Sequence, residues 1–203
     1  MLRGMVFVDH MNFDIALQNL YLPNEQAPKL NYNTVFKGVV NKIENVEYLK
    51  TFIFIPKPDD FLMNDDKLLS YYKWVSGLST SKYIDVIEGR YIARPTSTRE
   101  NMDVNNKTTY YKIEKGTDIN LAVHALTKAY NNSYDVAFVF SEDTDYKPVY
   151  KQLKNMGKIV VEVIVKGQKI SSREDVDDFI ILDKDFFNEH IRNPQNKSSF
   201  SYA

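Results

Sequence analysis

The chain contains no cysteine. Disulfides, thiolate zinc sites and a cysteine nucleophile are excluded together. Histidine is nearly as scarce, at three residues in 203, so the metal ligands on offer are almost all oxygens. Neither sign of charge is in excess: Lys and Arg number 26 against 27 for Asp and Glu, a formal net charge of -1. That balance rules out a globally basic nucleic-acid binder, and any polyanion has to be met by a local basic patch. No window reaches the ~20 apolar residues of a membrane helix. Met1-Leu2-Arg3-Gly4 runs straight into a strand without an apolar signal region. A cytoplasmic protein with no membrane partner is expected. Long disordered tracts are not, because 43% hydrophobic and 26% charged residues suit one sizeable core. A single domain over residues 1–187 and a polar tail over 188–203 are expected, with no internal repeat.

What the chain does have is a set of three aspartate-bearing turns that follow strand-like residues. They are Met5-Val6-Phe7-Val8-Asp9, Lys115-Gly116-Thr117-Asp118, and Val136 to Phe140 leading into Ser141-Glu142-Asp143-Thr144-Asp145. The first and third apolar runs predict buried parallel strands, and open α/β sheets bind ligands beyond the carboxyl ends of such strands. Carboxylates gathered there repel one another unless a cation sits among them, and hard Mg²⁺ or Mn²⁺ is the usual partner. Metal-assisted chemistry on phosphate is the functional class this pattern points to.

The remaining elements alternate between the two kinds. Helices are predicted over Asn12–Tyr21, Tyr32–Ile43 and Asp65 or Asp66 to Trp74, each with apolar residues at three- and four-residue steps. Leu49–Ile55 predicts a buried strand stopped by Pro56 and Pro58. Thr117 is expected to cap a helix that stops at Asn131-Asn132-Ser133, followed by a strand over Asp135–Phe140 and a helix over Asp143–Asn155. Strands are expected again at Lys158–Val165 and Asp178–Asp183. The βαβ order implies a mostly parallel sheet with right-handed crossovers. Residues 83–114 read as an irregular excursion with extended pieces at Tyr83–Ile87, Tyr91–Ala93 and Thr108–Ile113. Arg90, Arg94, Arg99, Lys107, Lys112 and Lys115 form a phosphate-facing rim if they fold to one side. With Glu88, Glu100, Asp103 and Glu114 among them, a solvated mixed-charge loop explains the same residues.

Simpler explanations exist for single acids. Asp118 and Asp143 stand at helix starts, where free N–H groups and the helix dipole favour a carboxylate. Asp9 with Asn12 also fits a plain turn. Capping alone does not explain why the acids fall at topologically related places.

The ordered motifs Phe7-Val8-Asp9-His10-Met11-Asn12, Lys115-Gly116-Thr117-Asp118 and Ser141-Glu142-Asp143-Thr144-Asp145-Tyr146-Lys147-Pro148, with Leu153 and Gly157-Lys158, resemble NYN domains of the LabA-like branch of the PIN-like nucleases. The resemblance spans about Arg3 to Leu182. It implies a PIN-like three-layer α/β/α sandwich with a mostly parallel central sheet and a metal-dependent ribonuclease acting on RNA, single-stranded or structured. By motif match, Asp9, Asp118, Asp143 and Asp145 would be catalytic acids that bind Mg²⁺ or Mn²⁺. Asn12, Lys115 and Ser141 would bind substrate or fix the loops around it. A homo-oligomer stays open.

The chain departs from the family pattern at His10 and Glu142, where small residues are common. Glu142 would narrow the approach of a phosphate or add charge, and His10 is either a base contact or a packing residue. Tyr146 is a further stacking candidate, while His124 and His190 read as structural. Two rival functions remain from the sequence: a non-catalytic RNA- or protein-binding module, and a metal-dependent small-molecule phosphohydrolase.

Overall fold

The two apolar runs that end in aspartate turns lie side by side at the centre of one sheet. In the computed structural model, which describes residues 1–97, 101–169 and 174–192, they are β1 (Leu2–Asp9) and β5 (Val136–Phe140), paired in parallel with Val8 opposite Phe140. Every residue of β5 is buried, as a strand covered on both faces requires. On one side of β1 follow β2 (Val46–Pro58), β3 (Ile84–Pro95) and β4 (Tyr110–Lys115). Beyond β5 lie β6 (Ile159–Val165) and β7 (Asp178–Leu182). The seven strands run in the order β4-β3-β2-β1-β5-β6-β7, all pairs parallel apart from β3 with β4. The chain therefore winds away from β1 in both directions. This makes the carboxyl ends of β1 and β5 the switch point at which such sheets open a crevice.

Alternation along β1 feeds two cores. Val6 and Val8 face a layer built from α1 (His10–Tyr21), α2 (Tyr32–Val40), α3 (Asp66–Ser76) and α6 (Lys184–Glu189), where Phe13, Val35, Phe36, Val39, Val75 and Phe187 are buried. Met5 and Phe7 face the opposite layer, in which α4 (Thr117–Tyr130) and α5 (Lys147–Asn155) contribute Leu121, Ala125, Tyr150 and Leu153. Each of the fully buried leucines and phenylalanines adds about 1.5–3 kcal/mol of hydrophobic stabilisation. The result is the PIN-like α/β/α sandwich with a mostly parallel sheet that the motifs implied.

Several local expectations change. β2 does not stop at Pro56 but continues to Pro58. Thr51 and Asp59 donate their N–H groups to Tyr83 and Tyr91 next to or within β3, so the even-numbered residues of β2 turn their nitrogens the other way. On that other side β1 ends opposite Phe54, and the two prolines fall where no neighbour needs a donor. The stretch expected to be an irregular excursion is instead the edge of the sheet: β3 is one continuous strand, and β4 returns antiparallel against it. Arg99 and Glu100 lie outside the described residues. Thr117 is the first residue of α4 rather than its cap, which is Gly116 with φ of 83°. The short α6 was not anticipated. It is capped by Asp183, whose carboxylate accepts from the Phe186 N–H at 3.1 Å. Past it, Leu30 pairs with Ile191 and the Arg192 N–H donates to the Lys29 carbonyl, so residues 190–192 are bonded back to the body of the fold.

Candidate active site

Asp9 is the last residue of β1 and the cap of α1, and both roles fix its carboxylate. One oxygen, Oδ1, accepts from the Asn12 N–H at 3.2 Å. The other, Oδ2, faces the Ser141 hydroxyl at 3.5 Å. Ser141 is the first residue beyond β5 and is buried, and its Oγ also accepts from the Asp143 N–H at 3.1 Å. Asp143 in turn caps the short 3₁₀ turn Thr144–Tyr146, with Oδ1 accepting from the Asp145 N–H at 2.9 Å. Tyr146, at the end of that turn, donates its hydroxyl to Asp118 Oδ1 at 2.9 Å from within the core. A continuous set of bonds thus joins the three acids that the sequence places in three separate motifs.

The approach of α4 to the sheet has its own cause. A Cβ on Gly89 of β3 would stand 2.8 Å from the Thr117 nitrogen and 2.9 Å from the Lys115 carbonyl oxygen, so only glycine lets the start of α4 come this close. Asn120 adds a bond from its side-chain amide to the Glu88 carbonyl at 3.0 Å. Asp118, in the first turn, is delivered to the switch point by this contact.

Electrostatics follow from the placement. Asp9 is 9% exposed. Burial is the largest cause pushing its pKa from 3.8 up to about 7; the Asn12 N–H opposes that rise, and the charges of Asp118, Glu114 and Asp143 add to it. A carboxylate held among three others is poised to accept either a proton or a cation.

Glu114 is an acidic neighbour of the site that sequence reasoning missed. It lies on β4 opposite Tyr91, beside Thr117, and desolvation together with the charge of Asp118 raises its pKa. Thr117 and Asp118, three and four residues on, are among its neighbours, and the β3–β4 pairing adds Tyr91 from across the sheet edge; nothing in the local run Tyr110–Lys115 announces that pairing. The same pairing splits the expected cationic rim. Lys115 stands opposite Arg90, and alternation puts both, with Arg94, on the face away from Glu114. Lys112 shares the face of Glu114, with its Nζ 5.4 Å from the centre of the Tyr91 ring. Lys107 pairs with Asp65 instead.

The other anticipated residues divide as follows. Asn12 is central, its Oδ1 accepting from the Gln168 amide at 2.9 Å and from the Glu142 N–H at 3.4 Å. Asp145 is exposed, and the bond it gives the site is from its backbone N–H. Tyr146 is too buried to stack on a base, contrary to expectation, and its role is to hold Asp118. His10 is a packing residue: fully buried, it bonds the hydroxyls of Tyr71 at 2.6 Å and Tyr32 at 3.0 Å, and burial lowers its pKa to about 3. His124 bonds the Asn120 carbonyl one turn back, and His190 packs on Phe186, so both are structural as expected.

The donor chemistry of the site suits a hard divalent cation, since every acidic group around Asp9 offers oxygen. Among the described residues, no three acidic or histidine side chains come together as a ready-made metal cage. Mg²⁺ commonly takes one or two carboxylates and completes its shell with water and substrate phosphate, and Asp9 with its neighbours fits that open kind of site.

The chain matches the family model of the NYN domain over residues 3–183. No curated protein matches it. Among solved structures, a protein of unknown function from Vibrio parahaemolyticus RIMD 2210633 is similar, with a TM-score of 0.55 and 16% identity over 91% of this chain and 95% of that one. At that identity the likeness concerns the fold alone. No helix of the described residues is long and apolar enough to cross a membrane.

Proposed function

Because the chain belongs to the NYN domain family, whose members are generally nucleases, we propose that it is a metal-dependent ribonuclease of the LabA-like branch, cutting RNA phosphodiester bonds in the cytoplasm. The observation that carries this reading is the buried Asp9 at the switch point, under the combined charge of Asp118, Glu114 and Asp143. Such a cluster attracts a divalent cation and repels a nucleic acid until the cation is present.

Asp9, Asp118 and Asp143 would hold Mg²⁺ or Mn²⁺. The chemistry such an ion would supply is neutralisation of phosphate charge and activation of water. The protein's own part is positioning. Ser141 and the Asn12 N–H fix the two oxygens of Asp9, and Tyr146 fixes Asp118, so neither carboxylate has to reorganise during reaction. Glu114 adds negative charge on the β4 side, where it is available to take a proton from an attacking water. Lys112, on the same strand face beside Tyr91, offers a cation to a substrate phosphate. Arg90, Arg94 and Lys115 form a second stripe that a departing RNA strand can follow over the sheet edge.

Cleavage of end-labelled single-stranded and structured RNA tests the reading, with Mg²⁺ or Mn²⁺, with EDTA, and with a folded Asp118→Asn variant. Cutting that is lost in both controls is expected. RNA bound equally by both proteins in EDTA and never cut would instead identify a binding module.

A further inference from the structure

Beside the acidic site lies a cavity of about 450 Å³ between α1 and the turn that follows β6. Ile15, Ala16 and Leu20 give it an apolar wall, and Asn19, Glu142 and Gln168 give it a polar one. Ile15 is 54% exposed, an apolar side chain on an open helix face with the cavity as its neighbour. The polar wall is built in advance. Gln168 Oε1 accepts from the Val165 N–H at 2.8 Å, its amide donates to Asn12 at 2.9 Å, and the Lys169 N–H donates to Glu142 Oε2 at 3.2 Å. Gly167 makes the rim possible, with φ of 107° in a turn that side chains rarely adopt.

Asn12 connects this cavity to the reaction centre. Its backbone N–H holds Asp9 while its side-chain oxygen holds Gln168 and the Glu142 N–H, so one residue is a wall of both. A group bound in the cavity is therefore within the span of one nucleotide from a phosphate at Asp9.

We propose that the cavity is a nucleobase subsite, which takes the unpaired base next to the scissile phosphate and prefers guanine. The proposal rests on the nuclease reading above and names what that site selects. An unstacked base needs an apolar surface for its faces and hydrogen-bond partners for its edge, and the cavity provides one of each. Glu142 sets the preference. An ionised carboxylate only accepts hydrogen bonds, and of the four RNA bases guanine alone presents two adjacent N–H donors on its pairing edge. Adenine and cytosine put an acceptor nitrogen beside their amine, and uracil flanks its one N–H with carbonyls. The glutamate that departs from the family pattern thus acquires a role in selection.

The test needs no catalysis. Methyl NMR spectra of the full chain with Mg²⁺ are recorded while GMP, AMP, CMP and UMP, which hold no phosphodiester to cut, are added in turn. GMP is expected to move the Ile15 and Leu20 methyl signals with a Kd at least about tenfold below that of UMP, a difference of about 1.4 kcal/mol. Glu142→Gln should remove the preference, because its amide replaces an acceptor with a donor. Ile15→Trp, made from an exposed position, should fill the cavity and abolish the Leu20 shifts while the rest of the spectrum stays in place. The subsite is refuted by silent Ile15 and Leu20 methyls, by equal affinity for all four nucleotides, or by shifts that survive Ile15→Trp. Should the protein cut RNA with these methyls silent, the subsite fails and the nuclease reading stands. Selective shifts in a protein that never cuts RNA keep the subsite and overturn the nuclease reading.

Discussion

Replacing Asp9 by asparagine should make the metal-free protein more stable at neutral and alkaline pH, even though it removes the central acid of the site. Asparagine keeps the shape and still accepts from the Asn12 N–H. What it removes is a buried negative charge surrounded by Asp118, Glu114 and Asp143. The sign follows from linkage. The pKa of Asp9 rises from 3.8 to about 7 on folding, so between those values the folded chain holds a proton that the unfolded chain has lost, and stability falls as pH rises through the window. At about 1.4 kcal/mol per pH unit, the charged carboxylate costs up to ~4 kcal/mol above pH 7, an upper limit because water reaches even well-covered sites. For a domain of this size that corresponds to a Tm increase of up to roughly 8–16 °C for Asp9→Asn at pH 8. Below pH 3.8 both side chains are neutral in the folded and the unfolded chain, and the gap between the two proteins should close. Thermal melts in EDTA at closely spaced pH values measure the gap directly. A variant less stable than the parent at pH 8, or a gap that does not change with pH, would refute the claim that Asp9 carries an unfavourable buried charge.

Tyr146→Phe removes the hydroxyl bond to Asp118 while leaving the ring in the core; RNA cleavage should fall about tenfold, with stability changed by no more than about 1 kcal/mol, as kinetics and denaturant titration will show. Gly89→Ala puts a methyl against the Thr117 hydroxyl and also against the backbone of Thr117 and Lys115, which cannot rotate aside, so a loss of about 1–3 kcal/mol is expected in urea unfolding, with weaker cleavage because Asp118 is displaced. His10→Leu strands the hydroxyls of Tyr32 and Tyr71 at a cost of about 1–3 kcal/mol at pH 7. Its pKa is lowered from 6.5 to about 3, so the stability it gives is complete above 6.5 and lost as pH falls toward 3; the leucine variant should lack that portion of acid sensitivity in pH-dependent melts.

What could be read from the sequence depended on how local each signal was. β1 and β5 were legible because strands covered on both faces appear as unbroken apolar runs, and their flanking aspartates marked the end at which the crevice opens. Asp118 was legible through its motif, although its capping residue was misassigned: Gly116, not Thr117, occupies the position before the helix. Glu114 was passed over although it stands one residue before the Lys115-Gly116-Thr117-Asp118 motif, because a charge in a mixed-charge stretch gives no sign that β4 pairs with β3 and sets Tyr91 against it. The role of His10 was equally hidden, since its two tyrosine partners arrive from α2 and α3, 22 and 61 residues away. Pro56 and Pro58 looked like stops because proline cannot donate to a ladder, yet β2 outruns β1 and leaves that side unpaired. α6 has six residues, too few for a helical period to show.

The most direct test of the central claim, that the acids around Asp9 hold a divalent ion against the phosphate that is cut, is a metal-switch experiment. Single-turnover cleavage is measured on RNA with sulfur in place of one non-bridging oxygen at the scissile phosphate, in Mg²⁺ and in Mn²⁺. Sulfur is a poor ligand for hard Mg²⁺ and a better one for Mn²⁺. Slow cleavage in Mg²⁺ that recovers in Mn²⁺, and is absent from Asp9→Asn, is the predicted result. Cutting at one rate in both metals, or cutting that persists in EDTA, would contradict the account.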